Sequence, residues 1–239
     1  MRLQVFLSHS GCCSRRNALE IIKSGRVFVN GKITPEPSYP VDAEKDRIFL
    51  DNKKITLKAK SYLMLNKPVG VTTTRSDRYA EVTVMDLLPK EYRHLYPVGR
   101  LDKDTEGLLL LTNDGDLAYR LMHPKFNVHK EYLATITKKL KDKDRLKLEK
   151  GVFIENKKTS PCRIKELFKS VSHSDLTVSI HEGRKRQIRL MFLSLGYKVI
   201  RLRRVSEGCL KLGALKPGKW RALGAAEISS LYKECGLKQ

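Results

Sequence analysis

The sequence predicts an α+β protein in two parts: a small helix-helix-hairpin unit over residues 1–58 and a larger mixed domain over residues 62–239. Three observations predict it. Apolar spacing near the N-terminus is helical, then gives way to short β-like runs around turn signals. From Tyr62 onward apolar strands recur with helices interspersed, which is the pattern of an α+β domain. Between the two lies Lys58–Ser61, which reads as a linker.

Taken in order, Leu3, Phe6 and Leu7 stand at i, i+3, i+4, and Gly11 ends a short helix there. Ser14 is placed to cap a second helix whose apolar face is Ala18, Leu19, Ile21 and Ile22, closed by Gly25. Val27–Val29 reads as a strand running into Asn30-Gly31, a strong hairpin turn. Residues 46–50 and 53–57 give two more short strands around Asp51-Asn52. In the larger part, strands are expected at 62–65, 69–74, 108–112, 131–136, 162–168, 175–180, 199–205 and 208–212. Helices are expected at 83–88, 116–122, 139–150, 186–195 and 225–234. The clearest is 186–195, with Ile188, Met191, Phe192 and Leu195 on one face.

The composition narrows the function. The chain has 48 Lys+Arg against 26 Asp+Glu, a formal net charge of +22. Such a field favours a polyanionic partner, with nucleic acid first and an anionic membrane surface second. No stretch approaches the ~18 apolar residues of a membrane span, and the N-terminal apolar run is too short for a signal peptide. The five cysteines form no CxxC pair, so neither a disulfide framework nor a zinc ribbon is indicated. Adjacent Cys12 and Cys13 are read as packing residues. A cytoplasmic protein that does not enter a membrane is expected. The surplus is also concentrated: residues 184–221 hold 12 basic residues and a single acid, Glu207. A charge so placed suggests a surface for phosphates. The mixed run within 138–169, KKLKDKDRLKLEKG, reads instead as a solvated helix face.

In the N-terminal part, Arg15, Arg16, Lys23, Arg26 and Lys32 stand around a helix and a hairpin, where they can track phosphates. On charge alone, a solvated helix with an ordinary hairpin is an equal reading. The order SRR, apolar helix, GRVFVNG resembles the S-four RNA-binding domain, found in a small-subunit ribosomal protein, some tRNA synthetases and several RNA-modifying enzymes.

The most informative stretch is GRLDKDTEGLLLLTNDGDLAYRL, residues 99–121. Gly99 and Gly107 bracket a charged loop ahead of a buried strand, which is how a fold presents a reactive group. One reading is a solvated turn. A second is an aspartate-nucleophile phosphatase, from Asp102-x-Asp104-Thr105, but Pro97, Gly99 and Arg100 interrupt the apolar strand that form needs. The third rests on the whole pattern. GRLDxxTxGLLLLTNDG closely resembles the catalytic signature of the RsuA/RluB-type ribosomal RNA pseudouridine synthases. NKPVGVTTT (66–74), HPKFNVHKEYLATI (123–136), EGRKRQIRLMF (182–192) and VIRLRRVSEGCLKLGALKPGKWRAL (199–223) resemble the rest of that family. Two departures stand out: Leu190 follows the QxR motif where a second basic residue is common, and Lys185-Arg186 replaces an aromatic-His pair. The second, with SRR near the start, tilts the resemblance toward the RluB-like, large-subunit branch.

The resemblance implies isomerisation of uridine to pseudouridine by a catalytic domain with a central, mainly antiparallel sheet and flanking helices, without a cofactor. By motif position Asp102 is the catalytic carboxylate, Arg189 its ionic partner, and Tyr132 the ring that stacks on uracil and could take part in proton transfer. Arg100 would fill the gap left by a flipped base or hold phosphate, and Thr105 and Leu202 would bound the base pocket. RNA is expected in a cleft lined by Arg100, by Arg184, Lys185 and Arg186, and by Arg201, Arg203 and Arg204. The partner implied is ribosomal RNA or a ribosomal subunit precursor, bound by a monomer. A small-subunit target and a non-catalytic RNA- or ribosome-binding protein are the alternatives. GALKPGKW (213–220) falls short of a phosphate loop because Trp220 replaces its Ser/Thr. The six histidines lack HxxxH spacing, so no metal site is expected.

Overall fold

The computed structural model describes residues 1–238. The chain divides into two compact units. One comprises Met1–Ser61 with Asn113–Gly115; the other comprises Tyr62–Thr112 and the chain from Asp116 onward.

The first unit opens with helices α1 (Leu3–His9) and α2 (Arg15–Lys23). Ser14 caps α2, its hydroxyl accepting from the Asn17 amide at 3.1 Å. Strands β1 (Val27–Val29), β2 (Lys32–Ile33), β3 (Ile48–Leu50) and β4 (Lys53–Ile55) follow and form one antiparallel sheet, in the order β2-β1-β3-β4. Asn30 and Gly31 both take positive φ, 52° and 82°, the type I′ turn whose twist matches a two-stranded ribbon. Leu3, Phe6, Leu7, Ala18, Ile22, Val27, Val29 and Ile48 make the core. Leu19, expected on the apolar face of α2, is exposed instead. Cys13 packs against this core, whereas Cys12 is exposed and not a packing residue.

The second unit begins with β5 (Tyr62–Lys67), β6 (Tyr96–Pro97) and β7 (Glu106–Thr112). Then come α3 (Gly115–Met122), β8 (Lys130–Thr137), α4 (Asp142–Lys150) and the hairpin β9 (Phe153–Ile154) and β10 (Lys157–Lys158). β11 (Arg163–Lys169), β12 (His173–Ile180), α5 (Gln187–Leu193), β13 (Val199–Glu207), β14 (Leu210–Lys211), β15 (Trp220–Ala222) and α6 (Ala225–Glu234) complete it. The main sheet runs β11-β12-β8-β13-β7-β5-β15, and only the β13–β7 pair is parallel among its described pairings. It is therefore mainly antiparallel, as the resemblance implied.

The strands show why their sequences differ. Leu109 and Leu111 of β7, with Leu63 and Leu65 of β5, enter one core together with Leu148 of α4 and Met191 and Phe192 of α5. Leu108 and Leu110, with Met64, enter a second core under Leu117 and Leu121 of α3 and Leu231 of α6. A strand covered on both faces needs apolar residues at every position, hence the unbroken Leu108–Leu111. β8 and β12 bury only one face and alternate accordingly.

Two expected elements are absent. Residues 69–74 make no strand beyond an isolated bridge, Thr72 to Thr83, because Gly70 turns the chain at φ +90°. Residues 83–88 are not a helix. The Asp86 carboxylate accepts from both the Thr83 amide (2.8 Å) and its hydroxyl (2.7 Å), closing a local turn that competes with helix. Burial of Val84, Met85 and Leu88 accounts for the apolar spacing that suggested one.

Gly107 is the one position in the sheet that cannot carry a side chain. A Cβ there would lie 2.2 Å from the Arg204 carbonyl oxygen, and φ is +114°. Gly107→Ala is expected to cost ~3 kcal/mol or more by forcing β7 and β13 apart, a loss to be measured by urea unfolding.

Candidate active site

The loop between β6 and β7 owes its shape to cross-links with residues 67–73. The Thr73 hydroxyl donates to the Leu101 carbonyl at 2.8 Å, and the Gly70 amide donates to the Lys103 carbonyl at 2.8 Å. Lys67 Nζ donates to the Thr105 carbonyl at 2.8 Å and to the Pro68 carbonyl at 3.0 Å. The Thr105 amide returns to the Asp102 carbonyl at 3.0 Å, closing a tight turn. Asp102 is thereby held half-buried at the edge of a cavity of about 900 Å³.

The cavity is bounded by Thr72–Thr74, by the loop carrying Arg100, Asp102 and Thr105, by Lys130 and Tyr132 of β8, by Gly183–Ile188, and by Leu202 and Arg204 of β13. Arg100 and Lys185 are exposed at it, while Tyr132, Leu202 and Thr105 are buried in its wall. The Thr105 hydroxyl has no hydrogen-bond partner among the described residues. Burial pushes the Tyr132 hydroxyl above its usual range, and the Arg204 guanidinium opposes that shift.

Basic groups converge on the loop, but on its second carboxylate. Arg186 donates to both oxygens of Asp104, at 3.0 and 2.9 Å. Arg189 places Nε 3.3 Å from Asp104 Oδ2 and donates through Nη2 to the Asp104 carbonyl at 2.8 Å. Its Nη1 donates to the Val199 carbonyl at 2.9 Å. Burial alone would raise the Asp104 carboxyl, yet Arg186 and Arg189 hold it below its ordinary range. The salt bridge of Arg189 is thus with Asp104, its attraction to Asp102 is the weaker one, and Asp102 borders the cavity. One residue of loop, Lys103, separates the acids, and the turn at Asp102–Thr105 sends them to different surroundings.

Burial of Lys67 was not anticipated from the sequence. It ends β5 fully enclosed, and that burial pushes its ammonium down to about 8, with Asp102, Asp104 and Glu106 partly offsetting the shift. Its signal was a lysine closing the apolar run YLMLN directly before a proline. Lys130 and Glu207 were likewise missed.

The three arginines of β13 do not share a surface. Leu202 and Arg204 face the cavity, whereas Arg201 and Arg203 line a second cavity of about 210 Å³ with Leu133, Thr135, Leu167 and Asp175. Strand alternation forces this split. Arg201 also pairs with Glu106 at 2.7 Å. Arg204 is only 2% exposed, so it is a buried residue and not a phosphate contact. The expectation that all three line one RNA cleft is therefore corrected. Arg184 borders the cavity while its guanidinium is tied to the Lys157 and Lys158 carbonyls of the β9–β10 hairpin. In the first unit Arg15, Arg16, Lys23 and Lys32 are exposed and Arg26 is paired with Asp51.

Among the described residues no helix is long and apolar enough to cross a membrane. Comparison with known proteins matches residues 61–194 to the family described as RNA pseudouridylate synthase and residues 1–48 to the S4 domain. A Bacillus subtilis protein named ribosomal large subunit pseudouridine synthase B is 41% identical over 96% of this chain and 95% of its own length. An uncharacterized RNA pseudouridine synthase of Aquifex aeolicus is 38% identical over 100% of this chain and 96% of its own. A crystal structure of a pseudouridylate synthase superposes with TM-score 0.70 at 30% identity, covering 97% of this chain and 99% of that one.

Proposed function

The chain belongs to the RNA pseudouridylate synthase family, and from that premise we propose that it isomerises a uridine of large-subunit ribosomal RNA. The reaction conserves atoms. The bond from the ribose C1′ to uracil N1 breaks, the ring turns, and C1′ bonds to C5; C5 loses a proton and N1 gains one. No electrons leave the substrate, so no redox cofactor is called for. The observation that carries the reading is Asp102, a carboxylate held on the cavity edge with Tyr132 and Leu202 in the same wall.

The uridine cannot react while stacked and must be turned out into the cavity. Asp102 acts on the sugar or base while uracil is detached. Tyr132 stacks on the ring, Leu202 closes the pocket, and the free Thr105 hydroxyl is available to a polar edge of the base. Arg189 and Arg186 fix the loop through Asp104. Arg100 fills the space the base vacates or holds phosphate, and Arg184 and Lys185 extend the basic rim. Residues 62–239 carry this chemistry and residues 1–58 the docking on RNA. The large-subunit target follows the name of the Bacillus relative and the resemblance to the RluB-like branch. The protein is proposed to work as a cytoplasmic monomer on free rRNA or a subunit precursor.

Release of tritium from C5-labelled uridine in rRNA tests the reading, with pseudouridine mapping in cells with and without the protein to identify the position. No release from immature or mature large-subunit rRNA overturns it. Docking is tested separately. Arg15→Ala with Arg16→Ala is expected to weaken rRNA binding and reduce the slope of log K against log salt by up to about 2, since each phosphate contact contributes ~0.7–0.9. An unchanged slope removes these residues from the RNA surface.

A further inference from the structure

The end of α3 carries an aromatic cluster that the reaction described above does not use. Tyr119 and Met122 lie in the last turns of the helix, and His123 leads into a one-turn 3₁₀ helix, Pro124–Phe126. The His123 amide still donates to the Tyr119 carbonyl at 2.9 Å, so the two rings share a helix face. Their centroids lie 5.2 Å apart. Phe126 folds back against both, at 5.7 Å from Tyr119 and 6.3 Å from His123, each nearly perpendicular. The turn is fixed by His123 Nδ1, which accepts from the Lys125 amide at 3.3 Å. Phe126 is partly buried against the core under α3 and α6, so it is the anchor. Tyr119 is 47% exposed and Met122 44%, and His123 and Lys125 are exposed as well.

Two further observations say what covers these rings. The first is charge. Lys125 Nζ lies 5.4 Å from the Tyr119 ring centre and 4.8 Å from that of Phe126. From Leu117 to Lys130 the chain contains Arg120, Lys125 and Lys130 and no acid. Exposed rings beside cations suit a partner that is flat, apolar on its faces and attached to phosphate, which describes an unpaired nucleotide. An apolar protein surface would meet the rings but gain nothing from the ammonium. The second is position. Met122 borders the large cavity beside Gly99 and Arg100, and a Cβ on Gly99 would stand 3.9 Å from Met122 Cγ. Tyr119 lies about one turn, ~5 Å, back along α3 from that border.

We propose that Tyr119, with His123 and Lys125, is a stacking platform for an unpaired rRNA base that flanks the flipped uridine. This rests on the synthase reading given above, which puts the uridine in the cavity. The exposed Tyr119 ring carries the base, Phe126 and His123 fix that ring, and Lys125 meets the phosphate of the same nucleotide. A uridine turned out of the stack leaves its neighbours without a stacking partner. A base seated on Tyr119 regains one and anchors the strand beside the cavity mouth. Every base has a π-face, so the platform holds an unpaired segment without reading its sequence.

Full-length protein is assayed on protein-free large-subunit rRNA from cells lacking it, by KM and kcat for tritium release and by Kd from filter binding across a salt series. The variants are Tyr119→Leu, Tyr119→Phe and Lys125→Ala. Tyr119→Leu keeps apolar bulk and loses the π-face. It is expected to raise KM and Kd about 5- to 100-fold, with the loss in KM and not in kcat and the salt slope of binding unchanged. Tyr119→Phe restores most of the affinity. Lys125→Ala lowers the slope of log K against log salt by roughly 0.7, one single-strand phosphate contact. Tyr119→Leu with wild-type KM and Kd overturns the platform. So does a loss shared equally by Tyr119→Phe, or one confined to kcat, which would make Tyr119 a support for the Gly99 loop through Met122. A loss seen on subunit precursors but not on bare rRNA also overturns it and gives the rings to a ribosomal protein. Wild-type protein that releases no tritium overturns the synthase reading instead, and Kd then decides the platform alone.

Discussion

Asp102→Asn is expected to lower tritium release by on the order of 10⁴-fold while leaving rRNA affinity within about threefold. The substitution keeps the shape of the side chain and removes only its charge. Asp102 is half-buried at the cavity edge, and the loop around it is held by backbone bonds to Thr73, Gly70 and Lys67, none of which uses the Asp102 carboxylate. The loop should therefore keep its form. Asp104→Asn makes the contrasting control. Asp104 is the acid that Arg186 and Arg189 grip, so its loss loosens the loop and is expected to cost about 10- to 100-fold, with partial activity retained. Single-turnover assays on both variants separate the two roles. Asp102→Asn with near-wild-type turnover would remove Asp102 from the chemistry; Asp104→Asn as inactive as Asp102→Asn would shift the essential carboxylate to Asp104.

Lys67→Met is expected to divide stability from activity. Lys67 is fully buried, and its ammonium is pushed down to about 8 from an ordinary 10.5. A methionine of similar length fills the same space without the cost of burying charge, so the fold is expected to be as stable as the wild type or up to ~2 kcal/mol more so near pH 7. Activity moves the other way. The two bonds from Nζ to the Thr105 and Pro68 carbonyls vanish, and a loop displaced by about 1 Å costs on the order of 100-fold in kcat. The pH dependence is a second handle. Between about pH 8 and 10.5 the unfolded chain keeps a proton on Lys67 that the folded chain has released. Raising the pH through that window therefore stabilises the wild-type fold, and the increment is absent from Lys67→Met. Urea unfolding at pH 7.5 and 9.5 measures it. A variant that is both less stable at pH 7.5 and fully active would show that Lys67 supports the sheet and not the loop.

Much of the site was legible because its motifs are local. Asp102, Thr105 and Arg100 lie within six consecutive residues, and the glycines that shape their loop are next to them. Tyr132 and Leu202 fall on strands whose apolar alternation identifies the buried face. The arginines were misread for a physical reason. Arg201, Arg203 and Arg204 look alike in a string of basic residues, and composition assigns all of them to phosphate. Which face each occupies depends on the register of β13 against β8, including its bulges.

The amino-acid sequence by itself determined the two-part α+β organisation, the hairpin at Asn30-Gly31, the buried strand at Leu108–Leu111 and the charged loop ahead of it that carries Asp102. These depend on periodicity, turn chemistry and contiguous motifs, all of which operate over a few residues. Tertiary structure alone decided which charges meet. It gave Arg189 and Arg186 to Asp104, turned Arg201 and Arg203 away from the cavity, and closed Lys67 beneath the loop. It also set Arg204 against Glu207 and across the ladder from Tyr132. The difference has one cause: a charged side chain reads as solvated in the sequence, and only strands brought together from distant parts of the chain show which charges the fold has removed from water.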